Sequence, residues 1–292
     1  MEVSNRRRAP VCRKTLTWRR TGLGNRAGPL RFLPFFASRL EGGSLFWQWK
    51  FKTGDVVHAS PAISGGALFV GSWDSYFYAL DAGSGKELWR FKTGDDPVIH
   101  NQVGIQSSAA VVDGVVYFGR RDSKFYAVYA FTGKERWSYS NKGSWVISSP
   151  AVLDGKVYFG TSDTGLLHAL DAKSGSPVFS LDFKHWPFFS SPAIAGDTLY
   201  IGSHQGRLKA VDLKTQKVAW TFETENSKQN GPSFTKPEGV PNYEAAFFDF
   251  FYDDMVSGVQ KMLSVGAILS SPVAAGKSIY VGSTDGNVYA LM

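Results

Sequence analysis

Aspartate recurs at one point of a repeated pattern, and carboxylates at regular intervals can bind Ca²⁺ or act in general acid–base chemistry. The recurring residues are Asp74, Asp122, Asp163 and Asp285. An aspartate beside Ser, Thr or Gly also caps a tight turn through its own side chain. Each repeat carries one aspartate, except where Gln205 takes its place, so the pattern favours turn capping over a metal ring.

Histidines are the next candidates, because imidazole binds metals and transfers protons near neutral pH. His58, His100, His185 and His204 all fall in predicted connections between strands. A metal site would need histidines at short fixed spacing or converging in space. Their distribution favours ligand contacts or ordinary loop positions. His168 stands within a predicted strand and is expected to be packed.

Two tryptophans precede predicted inner strands, where the mouth of a central channel would lie. Trp145 and Trp186 could stack a sugar, a quinone or a proline, or they could anchor an insertion over the channel. Both interpretations stay open. The predicted ligand- or partner-binding residues are His58, His100, Asn101, Gln102, Gln106, Trp145, His185, Trp186 and His204. The sequence offers no catalytic residues that we can name, and we identify no nucleophile motif or phosphate-binding loop.

The elements that position these residues are short strands. From Ser60 to Thr93, apolar residues alternate with polar ones in four runs separated by Gly, Asp and Ser, which is a strand pattern. The unit recurs every 40 to 48 residues, each time with a small-residue entry and a later aromatic. Four strands per unit predict an all-β propeller of four-stranded antiparallel blades. The entries are Ser60-Pro61-Ala62, Ser108-Ala109-Ala110, Ser149-Pro150-Ala151, Ser191-Pro192-Ala193 and Ser271-Pro272-Val273.

The ends of the repeat region predict closure into five blades. Phe46 to Thr53 has the pattern of a fourth strand, and Val288 to Met292 has that of a third. Pairing the first of these with the C-terminal hairpin would remove two exposed sheet edges. The propeller domain is therefore expected over residues 45–292. The large tryptophans of the outer strands are expected to fill gaps between blades.

Two insertions interrupt the repeat, at 95–106 and 225–268, and both should project from one end of the ring. Within the second, residues 228–241 suggest a loop, and apolar residues at helical spacing over 243–263 predict an amphipathic helix. That helix could act as a lid, a plug or a partner-binding element. A plug packed on its own ring is the default interpretation.

Charge is concentrated at the N-terminus. Residues 1–44 hold ten of the 32 Lys and Arg residues but two of the 25 acidic ones, so the remainder carries 22 basic and 23 acidic residues. A nucleic-acid partner is therefore not expected. The segment 1–44 is interpreted as disordered or as a targeting sequence. Cys12 is the single cysteine, which excludes an internal disulfide, and no run approaches the roughly 18 apolar residues of a membrane span.

The repeat resembles the pyrroloquinoline-quinone-like (PQQ-like) propeller family. The resemblance rests on the Ser-Pro-Ala entries, the aromatic-x-Gly strand ends such as Phe69-Val70-Gly71, and the segment Gly85 to Trp89. The family includes quinone-dependent dehydrogenases and the non-catalytic scaffold of the bacterial outer-membrane protein assembly machine. Those dehydrogenases resemble one another in an adjacent cysteine pair, which a chain with one cysteine lacks. The resemblance therefore implies the fold and leaves the cofactor open.

From these observations we expect a non-catalytic binding or scaffold module. The alternatives are a PQQ- or metal-dependent oxidoreductase and a small-ligand or glycan sensor. No cofactor is expected, and PQQ with Ca²⁺ belongs to the oxidoreductase alternative alone. A protein or small-molecule partner should bind the insertion-bearing face of a monomer. The family resemblance implies a periplasmic or cell-envelope location.

Overall fold

A computed structural model describes residues 35–41, 44–94, 104–247 and 252–292, which belong to one compact unit spanning residues 32–292. Side chains are described for residues 48–94, 104–247 and 256–292. No helix in this part of the chain is long and apolar enough to cross a membrane.

Short antiparallel strands form four four-stranded sheets, which we call blades 1 to 4. Blade 1 contains β3 (Ala62–Ser64), β4 (Ala67–Gly71), β5 (Tyr76–Asp81) and β6 (Glu87–Lys92). Blade 2 contains β7 (Ala110–Val112), β8 (Val115–Gly119), β9 (Lys124–Tyr129) and β10 (Glu135–Ser140). Blade 3 contains β11 (Ala151–Leu153), β12 (Lys156–Gly160), β13 (Leu166–Asp171) and β14 (Pro177–Asp182). Blade 4 contains β15 (Ala193–Ala195), β16 (Thr198–Gly202), β17 (Arg207–Asp212) and β18 (Lys217–Glu223).

Two smaller sheets flank these blades in the sequence. Blade 5 has three strands, β19 (Val273–Ala275), β20 (Ser278–Gly282) and β21 (Val288–Leu291). An N-terminal hairpin pairs β1 (Phe35–Glu41) with β2 (Ser44–Phe51). We name the strands of each blade A to D in chain order, and the A strands of successive blades lie side by side. The predicted propeller of four-stranded antiparallel blades is confirmed.

A tryptophan joins three outer strands, β2 and the D strands of blades 1 and 2, to the blade that follows each of them. Each indole N–H donates to a backbone carbonyl in the next C–D turn: Trp49 to Ala82 at 3.1 Å, Trp89 to Ala130 at 2.9 Å and Trp137 to Ala172 at 3.1 Å. The ring lies against a glycine of that turn. A Cβ on Gly85, Gly133 or Gly175 would stand 2.4 to 2.6 Å from the nearest ring atom. Only glycine leaves room for this contact, which confirms the predicted role of the tryptophans between blades.

Serine hydroxyls connect the blades near their inner strands. The backbone N–H of one entry serine donates to the hydroxyl of the next, at 2.9 to 3.1 Å. The links run from Ser60 to Ser108, Ser149, Ser191 and Ser271. A preceding serine, such as Ser148, accepts from the last glycine of its own B strand, Gly160, at 2.9 Å. The small entry residues are therefore selected for hydrogen bonding as well as for space.

The second insertion contains more helix than the sequence pattern indicates. Residues 228–241, interpreted as a loop, include part of α1 (Glu225–Asn230) and a 3₁₀ helix at Gly231–Phe234. The helix predicted over 243–263 is shorter, since a second 3₁₀ helix occupies Tyr243–Ala245 and α2 spans Tyr252–Leu263. Thr224 caps α1 by accepting from the backbone N–H of Ser227, a local interaction that hydrophobic spacing does not reveal.

The predicted pairing of β2 with the C-terminal hairpin, which would close the ring, is not seen among the described residues. β2 pairs with β1, and β21 is the outermost strand of its sheet among the described residues. β1 also lies inside the segment 1–44 that was expected to lack regular structure. A hairpin forms between neighbouring strands with little loss of chain entropy, which favours the pairing of β2 with β1.

The contact between Trp89 and Gly133 gives a stability prediction. Gly133 and Gly155 both have φ of +67°, but a Cβ meets the indole ring at Gly133 and nothing within 4 Å at Gly155. We expect Gly133→Ala to lower the free energy of unfolding by about 2–4 kcal/mol, from backbone strain plus displacement of the ring. Gly155→Ala should cost about 1 kcal/mol. Urea denaturation measures both, and equal losses would contradict the proposed contact.

Candidate functional site

Three of the four recurring aspartates are held by tyrosines of their own blades. Tyr78 donates its hydroxyl to Asp74 at 2.6 Å, and Tyr289 donates to Asp285 at 2.6 Å. Tyr126 donates to Asp122 in the same way. Each carboxylate also accepts a backbone N–H two residues further along its turn, at 2.9 to 3.1 Å. These interactions agree with the turn-capping interpretation of the sequence.

Asp122 also belongs to a buried ion pair between blades 1 and 2. Arg120 lies 2.8 Å from its carboxylate, and both side chains are almost inaccessible to solvent. Its Nη2 donates to the Ser75 hydroxyl of blade 1 at 2.7 Å, and its Nη1, which faces Asp122, also donates to the carbonyl of Gly94. Burial raises the pKa of Asp122, while the Tyr126 hydroxyl and Arg120 oppose that rise. The arginine therefore fastens two blades together.

Two positions per blade form what we call the rim, at the end where the B–C turns and D–A connections lie. In each blade the residue at the start of the B–C turn donates its backbone N–H to the D–A connection, as Trp73 does to Val56 at 2.9 Å. The residue two places after that carbonyl is the second rim position. The five pairs of rim positions are His58 with Trp73, Gln106 with Arg121, Ile147 with Ser162, Phe189 with His204, and Leu269 with Thr284. Side chains are in contact within three of these pairs, His58 with Trp73, Gln106 with Arg121, and Phe189 with His204.

Arg121 lies between two indole rings at the rim. Its guanidinium carbon is 4.9 Å from the centre of the Trp73 ring and 4.4 Å from that of Trp145. Its Nη2 donates to the side-chain oxygen of Gln106 at 2.8 Å. Burial lowers the pKa of Arg121, and the Asp163 carboxylate acts in the opposite direction. The residues Trp73, Gln106, Arg121 and Trp145, which we call the rim cluster, therefore join blades 1, 2 and 3.

Further polar groups border the rim cluster. His58 meets Trp73 edge to face at 5.0 Å between ring centres. Asp163 is exposed; its side chain accepts from the Ser162 hydroxyl at 2.6 Å, and its carbonyl oxygen lies 3.1 Å from Nδ1 of His185. The cluster thus combines aromatic, cationic and amide groups, and an anionic group stands at its border.

The predicted site residues divide into three groups. Gln106 and Trp145 lie in the rim cluster, and His58 and His185 border it. His100, Asn101 and Gln102 lie outside the described residues. Of the last two residues, Trp186 is buried, whereas His204 is partly exposed at the rim and packs edge to face against Phe189 at 4.3 Å between ring centres.

Trp186 anchors the second insertion. It is 1% exposed, its Nε1 donates to the Gly239 carbonyl at 2.9 Å, and it packs with Ala246 and Met262. Of the two interpretations left open for this tryptophan, the structure supports the anchor. The insertion therefore packs against the D–A connection that carries Trp186.

The sequence pattern did not identify Trp73 and Arg121 as candidate site residues. They precede Asp74 and Asp122, so their turns look like ordinary copies of the repeat. The available signal was their variability: the corresponding positions carry Ser162, His204 and Thr284. A position that changes type from blade to blade is free of the contacts that the repeat requires.

The described residues offer no group of three or more His, Cys, Asp or Glu side chains that could hold a metal ion. PQQ in the dehydrogenase members of the wider family is accompanied by Ca²⁺, which prefers several oxygen ligands together. Here the turn carboxylates of Asp74, Asp122 and Asp285 are separated, one to a blade, and each is bonded to its own tyrosine. This donor set does not fit a bound Ca²⁺ ion.

Substitution of Arg121 tests the stacking at the rim. Arg121→Lys keeps the charge but loses the planar group between the indoles, so we expect the free energy of unfolding to fall by about 1–2 kcal/mol. The matched control is Arg136→Lys, whose guanidinium lies 5.8 Å from the exposed Tyr129 ring alone. It should cost less than about 1 kcal/mol. Equal losses in the free energy of unfolding, measured by urea denaturation, would show that the two indoles do not stabilise the protein through Arg121.

Two packed histidines predict a loss of stability in mild acid. Burial lowers the pKa of His168 and His204 to about 4, below the ordinary value of 6.5. The unfolded chain then binds protons more readily than the folded one. The contribution of the two neutral histidines to the free energy of unfolding is therefore fully present above pH 6.5 and is lost as the pH falls toward 4. The slope is up to about 1.4 kcal/mol per pH unit for each histidine.

Urea denaturation across this pH window measures the slope. His204→Phe should reduce it, because phenylalanine fills the space beside Phe189 without binding a proton. The comparison is made after normalising to each protein's stability at pH 7.5. An unchanged slope in the variant would contradict the assignment.

The sequence matches one family model and a short part of a known enzyme. A family model described as "Outer membrane protein assembly factor BamB" matches residues 35–222. The quinoprotein ethanol dehydrogenase of Pseudomonas aeruginosa is 47% identical over 49 residues, which are 15% of this chain and 8% of that protein.

Solved structures share the fold at low sequence identity. BamB from Moraxella catarrhalis aligns with a TM-score of 0.60 and 18% identity over 87% of this chain and 62% of that one. Quinohemoprotein alcohol dehydrogenase from Comamonas testosteroni aligns with a TM-score of 0.59 and 17% identity over 81% and 41%. The chain thus spans less than two thirds of each of these structures, and the likeness concerns the fold alone.

Proposed function

The chain belongs to the family of the outer membrane protein assembly factor BamB, and from this premise we propose that it is a non-catalytic binding module of the bacterial cell envelope. Its partner is a protein that binds the face carrying the rim and the insertions. The propeller is the scaffold that holds this face rigid.

The observation that carries the proposal is the rim cluster. Tryptophan and arginine are the residues that most often dominate protein–protein binding energy. Arg121 is held between Trp73 and Trp145 and bonded to Gln106, so it loses little side-chain freedom when a partner binds. The residues that recur in every blade are occupied in turns and in contacts between blades. The variable residues of the rim are therefore the better candidates for recognition.

An oxidoreductase is the second candidate, because a 49-residue segment is 47% identical to a quinoprotein ethanol dehydrogenase. Under this candidate, PQQ with Ca²⁺ would be the cofactor. The separated turn carboxylates argue against it, as does the use of Asp122 in an ion pair that fastens two blades. We therefore favour the binding module and derive no catalytic step.

Site-specific photo-cross-linking tests the proposed face. A photoreactive amino acid at Gln106 should give a discrete protein adduct in intact bacterial cells, and Trp145→Ala should reduce its yield about tenfold or more. The matched control carries the photoreactive residue at Lys277, which is exposed in the A–B turn of blade 5 at the opposite end. That position should not give the same adduct.

Reconstitution separates the two candidates. The full chain is incubated with PQQ and Ca²⁺, and reduction of an electron-accepting dye by a primary alcohol is followed. The binding module predicts no alcohol-dependent reduction. Saturable reduction, together with no adduct at position 106, would replace our proposal with the oxidoreductase.

A further inference from the structure

The C–D turn of blade 2 departs from the repeat at two positions. In the other complete blades an aspartate at the start of this turn accepts the backbone N–H three residues later, at 2.7 Å. The pairs are Asp81 with Ser84, Asp171 with Ser174, and Asp212 with Thr215. The pKa of all three carboxyls lies below its usual value, chiefly because the Ser84 and Ser174 hydroxyls donate to Asp81 and Asp171 and the Thr215 backbone N–H donates to Asp212. Blade 2 has Tyr129 in place of the aspartate and therefore lacks this cap.

The second departure is an exposed phenylalanine. Phe131 stands where the other turns have Gly83, Lys173 and Lys214, and 93% of its surface is exposed. Tyr129 is 45% exposed. In this turn two exposed aromatic residues replace a capping carboxylate and a small or charged residue. The turn is therefore expected to be locally less stable and less soluble than its counterparts. Packing among the residues that the structure describes does not account for Phe131.

The turn nevertheless holds its backbone as the others do. Gly133 donates to the Tyr129 carbonyl at 2.8 Å, as Gly85 does to Asp81 at 2.8 Å. On the inner side the indole of Trp89 donates to the Ala130 carbonyl at 2.9 Å. Phe131 is therefore presented on a backbone fixed from two sides, which lowers the entropy lost when it enters a partner.

The charges around the turn are mixed. Arg136 lies over the Tyr129 ring at 5.8 Å, and Lys134 is exposed beside it. Asp113 and Glu135 are also exposed nearby. A discrete carboxylate on a partner can approach Arg136 or Lys134, whereas an anionic bilayer would present negative charge to the whole patch and be repelled by its carboxylates. The charge pattern fits a protein better than a lipid surface.

From these observations we propose that Tyr129, Phe131, Lys134 and Arg136 form a second protein-docking patch, on the face opposite the rim. Its partner is an extended protein segment in which apolar side chains, contacted by the two aromatics, are flanked by acidic residues. Tyrosine and arginine are typical hot-spot residues. This proposal stands apart from the function proposed for the rim, and either can fail without the other.

Restoring the repeat tests the patch. The double variant Tyr129→Asp/Phe131→Gly recreates the turn of blade 1, and the new carboxylate at position 129 can accept from the backbone N–H of Thr132. We expect its melting temperature to equal or exceed that of the wild type by a few degrees. Loss of binding in this variant could not then be attributed to misfolding.

The probe is a displayed library of random peptides, selected on the full-length wild type and counter-selected on the double variant. We expect enriched peptides with apolar residues flanked by Asp or Glu, which bind the wild type at least about tenfold more tightly than the double variant. As a control for simple hydrophobicity, Lys173→Phe added to the double variant should not restore binding. Trp145→Ala at the rim should leave binding unchanged.

Several results would overturn the proposal. Peptides that bind the wild type and the double variant equally would show that their binding site lies elsewhere. A failure to enrich any sequence would show that the patch does not bind peptides. Vesicles of phosphatidylglycerol that bind the wild type but not the double variant would assign the patch to a bilayer. Vesicles of phosphatidylcholine serve to separate charge from hydrophobic insertion.

Discussion

The contact between an outer-strand tryptophan and the glycine of the next C–D turn is the constraint on which the arrangement of blades 1 to 3 depends. It joins β2 to blade 1, blade 1 to blade 2 and blade 2 to blade 3, always with the indole on the outer strand and the glycine in the turn that follows. Trp137 is 9% exposed in such a contact. Trp220 has no described C–D turn in front of it and is 41% exposed. Trp137, which makes the contact, is thus far less exposed than Trp220, for which no such contact is described.

Other contacts between neighbouring blades add to this one, at the inner strands, at the B strands and at the B–C turns. The serine chain joins the inner strands, and Arg120 joins blades 1 and 2 through Ser75 and Asp122. At the level of the B strands, the last glycine abuts an apolar residue entering the next blade, as Gly71 does with Ile105. Most residues that recur in the sequence are therefore occupied in structure. Recognition falls to the positions that the repeat leaves variable.

The sequence was sufficient to predict the repeat, the strand order within a blade and the packing of the tryptophans, because these follow from local alternation and from residue size. It misplaced the partner of β2, because the alternating pattern of β1 is weak and pairing between distant strands leaves no local signal. At the rim it identified Gln106 and Trp145 but missed Arg121, whose role depends on two indoles from neighbouring blades. Trp186 precedes an inner strand much as Trp145 does, and only the packing of the insertion distinguishes them.

The central claim is that the recurring carboxylates are structural, and calorimetry in the presence of Ca²⁺ tests it most directly. A ligand that binds the folded protein raises the melting temperature in a saturable way. Because Asp74, Asp122 and Asp285 are each held by a tyrosine hydroxyl in a separate blade, we predict a melting temperature that does not change as Ca²⁺ is added. A saturable rise that Asp74→Asn or Asp285→Asn abolishes would contradict the claim.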